Sequence, residues 1–98
     1  MSREIILRPE AETELTEAFE WYEERVPGLG SAFLLAVDAV FRGIIRNPQQ
    51  YPVIHKATRR ALVRRFPYQV LFVIETSRVV VLAVFHVKRD PKRWQERS

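Results

Sequence analysis

The chain has 98 residues, 47% of them hydrophobic and 29% charged, with no cysteine and a formal net charge of +4. This composition describes a single domain spanning residues 1–98 and held by apolar packing alone. It excludes disulfides, cysteine nucleophiles, cysteine-ligated zinc and iron–sulfur clusters.

Residues 3–8 read as a short strand, with Ile5, Ile6 and Leu7 apolar and Pro9 ending the ladder. Pro9 suits the first position of a helix. From Glu10 to Val26 the apolar residues Ala11, Leu15, Ala18, Phe19, Tyr22 and Val26 follow one helical face. Seven glutamates, at 10, 12, 14, 17, 20, 23 and 24, fill the rest and read as a solvated face. Trp21 lies off the stripe. It is expected to pack against a sheet edge or the C-terminal tail, the other reading being a partner contact. Pro27-Gly28-Leu29-Gly30 turns the chain and Ser31 is a candidate cap for a second helix. Phe33, Val37, Val40 and Ile44 form its apolar stripe, which Leu34, Phe41 and Ile45 widen, and Asn47-Pro48 ends it. The two helices should form an antiparallel hairpin.

Residues 49–58 read as a loop, after which the apolar period changes from 3.6 to 2. Strands are expected at Arg60–Arg64, Gln69–Glu75 and Val79–Val87, neighbouring one another in antiparallel order. The last two are apolar on both faces and belong in the centre of the sheet. Asp90 can cap a short helix opening at Pro91. The expected fold is α+β: strand–helix–helix–strand–strand–strand, a mostly antiparallel four-stranded sheet with the helix hairpin on one face and a short C-terminal helix. Phe33, Val40, Ile44, Leu62, Phe72 and Phe85 should be buried.

The charge is divided along the chain. Residues 1–58 hold 6 basic and 9 acidic side chains, a net of −3; residues 59–98 hold 10 and 3, a net of +7. Such a split suggests a directed electrostatic surface and an acidic partner for the basic half. The longest apolar run, Val79 to Phe85, is far short of the ~20 residues of a membrane-spanning helix. Ile5-Ile6-Leu7 is too short for a signal peptide's apolar region. No membrane association and a cytoplasmic location are expected.

Motifs of chemistry are few. No glycine-rich phosphate loop, nucleophile elbow or His-x-x-x-His pattern occurs, and His55 and His86 are the only histidines. No cofactor or metal is implied. The basic half is the informative part: Arg59, Arg60, Arg64 and Arg65 flank one strand, and His86, Lys88, Arg89, Lys92, Arg93 and Trp94 follow the last. Arginine pairs phosphates and carboxylates through two parallel bonds, and aromatic rings beside it can stack bases. The competing reading is solvated charge that discourages sheet-edge pairing.

Four stretches carry a resemblance: Ala18-Phe19-Glu20-Trp21-Tyr22-Glu23-Glu24, Asn47-Pro48-Gln49-Gln50-Tyr51-Pro52, Arg64-Arg65-Phe66-Pro67-Tyr68-Gln69-Val70, and the segment from Val81 to Trp94. With the order of elements, they resemble the RelE/ParE superfamily of toxins from bacterial type II toxin–antitoxin systems, on its ParE-like, plasmid-stabilisation branch. The resemblance implies a growth-arresting protein neutralised by a cognate antitoxin. That partner would be an extended segment that orders as it wraps the toxin. Operator DNA would be reached only through the antitoxin.

RelE-type members cut mRNA on the ribosome, with clustered Lys and Arg and a Tyr or His near the end of the last strand. ParE-type members resemble inhibitors of DNA gyrase. Mapped onto this chain, a ribonuclease set would be Lys56, Arg64, Arg65, His86 and Arg89. No tyrosine follows the last strand, and Lys56 stands alone in its loop. This favours the gyrase-directed branch, with no enzymatic activity. A ribosome-dependent endoribonuclease and a non-toxic antitoxin-binding module remain the alternatives. Expected contacts with target or antitoxin are Arg60, Arg64, Arg65, Lys88, Arg89, Lys92, Arg93 and Trp94. As a catalytic group His86 should meet Arg64, Arg65 or Arg89 in a concave surface; as a structural group it should be an ordinary strand-end side chain.

Overall fold

The computed structural model describes residues 4–97. Strand β1 (Glu4–Leu7) leads into α1 (Pro9–Arg25) and α2 (Leu29–Arg46). A short 3₁₀ turn at Pro48–Gln50 precedes β2 (Val53–His55), β3 (Thr58–Leu62), β4 (Tyr68–Ile74) and β5 (Arg78–His86), and α3 (Lys92–Gln95) closes the chain. The five strands form one sheet in the order β1-β5-β4-β3-β2. β1 runs parallel to β5 and every other pair is antiparallel. Arg3, placed in the first strand by its sequence, lies outside the described residues.

The sheet has five strands rather than the expected four, because part of the 49–58 loop is β2. Val53-Ile54-His55 folds back on β3 through Lys56, whose φ of 50° makes the reversal tight. Three residues are too few to show a period, so the strand leaves no legible pattern. An Arg59 guanidinium N–H donates to the Tyr51 carbonyl at 2.7 Å and locks this turn onto the edge.

The hairpin connection also differs from the expected Ser31 cap. Gly28 adopts φ 91°, in the left-handed region, and α2 begins at Leu29. The Glu23 carboxylate accepts from the backbone N–H of Gly28 (2.9 Å) and of Gly30 (3.0 Å), satisfying donors at the start of α2. A Cβ on Gly30 would lie 2.7 Å from the Phe19 carbonyl, so only glycine lets α1 and α2 approach this closely.

The main core lies between the hairpin and the inner face of the sheet. Ala11, Ala18 and Tyr22 of α1 and Phe33, Val37, Val40 and Ile44 of α2 pack on Ala61, Val70, Phe72, Val79, Val81 and Val84. The outer face carries a smaller core of Leu71, Ala83, Phe85 and Trp94. The Asp90 carboxylate accepts from the backbone N–H of Lys92 at 3.0 Å and helps turn the chain into α3.

Of the six residues expected in the core, Leu62 is not there: it is 60% exposed. Its register partner is Gln69, on the outer face, whereas Ala61 pairs with Val70 and points at the helices. β3 runs from Thr58 to Leu62, two residues earlier than the expected Arg60–Arg64, so Leu62 ends the strand on the outer face, outside the cluster of Leu71, Ala83, Phe85 and Trp94.

The register of β5 contains one irregularity. Leu71 pairs with Ala83 but Phe72 pairs with Val81, which leaves Leu82 as an extra residue. Before it, Val79 and Val81 face the helices; after it, Val84 does, while Ala83 and Phe85 face outward. The bulge therefore reverses the alternation for the rest of the strand. β1 ends at Leu7, opposite Val81, so the next part of the β5 edge has no strand beside it.

Candidate functional site

The bulge puts His86 on the helix side of the sheet, opposite Tyr68. There a cleft of about 670 Å³ opens between α1 and the ends of β4 and β5. Ala18, Trp21, Tyr22 and the glutamates 14, 17, 20 and 24 line it from α1, with Pro67 and Tyr68 from β4 and its preceding turn. Val84, His86 and Arg89 line it from β5 and the residues beyond. Positions 14, 17, 18, 21 and 24 recur at three- and four-residue intervals, which places them along one helical face.

An aromatic cluster forms the inner wall. Tyr68 stacks edge-on against His86 with ring centres 5.2 Å apart, and Tyr22 meets Phe33, Phe66 and Tyr68 at 5.2, 5.0 and 6.1 Å. The His86 Nδ1 accepts the backbone N–H of Lys88 at 3.1 Å, which fixes the ring at the end of β5. Trp21 contacts Tyr22 edge-on at 5.1 Å, and the Arg25 guanidinium lies 3.6 Å over its ring. Trp21 is still 49% exposed, so the expected packing against a sheet edge or the tail is corrected: the indole stands at the mouth of the cleft.

Glu14 closes the floor. Its carboxylate accepts two bonds from the Arg97 guanidinium (3.0 and 2.9 Å) and one from the Val84 backbone N–H (3.1 Å). Arg97 also donates to the Leu82 carbonyl at 3.0 Å. The pair thus satisfies two polar groups of the bulge that no neighbouring strand can reach.

Burial raises both phenols above the ordinary tyrosine range. For Tyr22 the charge of Tyr68 adds to it; for Tyr68 the Arg89 charge opposes it and Glu14 reinforces it. A group whose folded pKa lies above its unfolded value stabilises the fold below the unfolded value. This contribution should fade as pH rises beyond about 10 and through the folded values. A phenolate absorbance titration at 295 nm should show these two tyrosines ionising late, together with loss of structure. Titration of all tyrosines near the free value with the fold intact would contradict it.

The expected site residues are dispersed. His86 and Arg89 meet in the cleft, whereas Arg64 and Arg65 are exposed in the turn after β3, with Arg65 at φ 71°. Lys56 is exposed at the opposite end of β3. Arg60 pairs in register with the outward-facing Leu71. Lys88, Lys92 and Arg93 are exposed after β5 and on α3. Trp94, expected as a contact, is corrected: it is 3% exposed and fills the outer core beside His55, at 5.7 Å between ring centres. Tyr68 and Glu14 were missed. Tyr68 depends on register, but Glu14 left a trace, lying four and eight residues before the inward-facing Ala18 and Tyr22.

Among the described residues no group of three His, Asp or Glu side chains could hold a metal ion, and no helix is long and apolar enough to cross a membrane.

This architecture is shared with known proteins. A family model described as "ParE toxin of type II toxin-antitoxin system, parDE" matches residues 5–91. Toxin ParE2 of Mycobacterium tuberculosis, in strains CDC 1551 / Oshkosh and ATCC 25618 / H37Rv, is 29% identical over 92 residues, covering 93% of this chain and 88% of the relative. A solved structure of the chromosomal ParDE TA system from P. aeruginosa has the same fold. Its TM-score is 0.76 at 12% identity, and the match covers 87% of this chain and 96% of that one. With the family pattern running from the first strand to Pro91, the chain belongs to the ParE toxin family of type II toxin–antitoxin systems.

Proposed function

We propose that the protein is the growth-arresting member of a toxin–antitoxin pair in the cytoplasm, held inactive by a cognate antitoxin, and that it acts by inhibiting DNA gyrase. Family membership over residues 5–91 is the observation that carries the toxin reading. The dispersal of the ribonuclease set supports the gyrase reading. General acid–base cleavage of RNA needs its cationic and proton-transferring groups within hydrogen-bond reach of one phosphate. Lys56, Arg64 and Arg65 are not among the residues lining the cleft with His86 and Arg89, while four glutamates are. The exposed basic residues after β5 offer an acidic antitoxin segment charge pairing. The edge strand β2, with Val53 51% exposed, offers it strand addition.

Induced expression should arrest growth, co-expression of a cognate antitoxin should relieve the arrest, and purified protein should block supercoiling by gyrase. Absence of inhibition at large molar excess would remove the gyrase target. The His86–Tyr68 contact beside Arg89 favours one second reading, ribosome-dependent mRNA cleavage. It requires message cleavage in a translating extract that His86→Ala abolishes; intact message in arrested cells would eliminate it. Antitoxin binding without growth arrest would leave a non-toxic binding module.

A further inference from the structure

The cleft has the wrong charge for the acidic partner that the basic half invites. Four carboxylates line it, against Arg89 and the imidazole of His86. Glu14 is engaged by Arg97, whereas Glu17, Glu20 and Glu24 have no ion pair among the described residues. The exposed indole of Trp21 stands among these three, and the Tyr22 and Tyr68 rings lie behind it. Aromatic faces edged by carboxylates are the surroundings that hold a planar cation, through cation–π attraction and paired N–H···O bonds.

The chain already shows both halves of that recognition. Arg25 stacks on Trp21 at 3.6 Å, and Arg97 grips Glu14 through two parallel bonds of 3.0 and 2.9 Å. We propose that the cleft between α1 and the ends of β4 and β5 is a docking subsite for an arginine side chain carried on a segment of a partner protein. The guanidinium stacks on the exposed indole of Trp21, on the ring face that Arg25 leaves open, and is paired by Glu17, Glu20 and Glu24. Arginine fits better than lysine because its fork matches a carboxylate and its plane matches an indole. The inference rests on the proposed toxin reading only for the source of the arginine, since a toxin is bound by proteins. It makes the binding surface two-signed: a basic sheet end for acidic residues and an acidic helix face for a basic one.

The test uses the full 98-residue chain, with N-acetyl-L-arginine amide as probe and two-dimensional NMR as readout. Saturable shifts are expected at the Trp21 indole N–H and the Val84 and His86 amides. N-acetyl-L-glutamine amide should produce none, and 0.5 M salt should weaken the arginine response, because exposed pairs are screened within a few ångströms there. Trp21→Leu, at an exposed position, should weaken binding about 3- to 30-fold while leaving the rest of the spectrum in place. Glu17→Gln/Glu20→Gln should weaken it as well. Equal shifts from the neutral amide, or unchanged affinity in Trp21→Leu, would overturn the proposal. So would stronger shifts of the same resonances by uridine 3′-monophosphate, which would make this a nucleotide site. Growth arrest and gyrase inhibition are measured separately. Their failure with the arginine shifts intact removes the toxin reading and leaves the subsite; the reverse outcome removes the subsite alone.

Discussion

Phe72→Ala is expected to destabilise the domain by about 3–5 kcal/mol, most of what a domain this small possesses. Phe72 is fully buried, at the middle of β4 where the sheet meets the hairpin, and its ring meets Tyr51 edge-on at 5.8 Å. It sits beside the register change, paired with Arg59 on one side and Val81 on the other. It belongs to the closely packed main core, so both the lost transfer energy and the cavity term should be felt. Urea unfolding measures the loss. Leu62→Ala is the matched comparison: its side chain is 60% exposed, and the change should stay within about 0.5 kcal/mol. Similar losses at the two positions would mean that the register of β3 against β4 is wrong.

The second large effect is at Glu14. Glu14→Ala removes the partner of a guanidinium whose side chain is only 16% exposed and leaves the Val84 N–H unpaired. Breaking a buried pair from one side costs about 3–5 kcal/mol where the orphaned charge cannot escape. The Arg97 side chain keeps 16% of its surface in contact with solvent, so about 2–4 kcal/mol is expected here. Replacing both members, Glu14→Leu with Arg97→Leu, should recover much of the loss, because an apolar pair has no charge to desolvate. A double-mutant cycle reads the coupling directly. A Glu14→Ala protein as stable as the parent would show that the pair does not hold the bulge. Since the bulge aims His86 into the cleft, the same variant should also disturb the His86–Tyr68 contact, visible as shifted ring resonances.

Glu14 marks the limit of what patterning can reveal. Seven glutamates on one helix read as solvated surface, and for most of them that reading is consistent with their exposure. Glu14 lies on the inward stripe, with its side chain 13% exposed, and its partners are 70 and 83 residues away. Trp94 shows the same limit from the other side. A tryptophan among four basic residues looks like a binding aromatic, yet α3 folds it onto Leu71, Ala83 and Phe85. A four-residue helix carries no period from which its buried face could be read.

The sequence by itself determined the helices, the three long strands, the helix-hairpin face of the sheet and the family, because each rests on local periodicity, turn chemistry or contiguous motif. It also located the basic half and the acidic helix. The tertiary structure alone decided how these meet. One extra residue at Leu82 turns His86 towards α1, and Glu14 and Arg97 hold that bulge from opposite ends of the chain. Strand alternation has a period of 2 and no memory of a bulge, so parity counted from Val79 and Val81 puts His86 on the wrong face. The cleft, its two-signed surroundings and the dispersal of the basic residues all follow from that register, which is a property of paired strands and not of either strand alone.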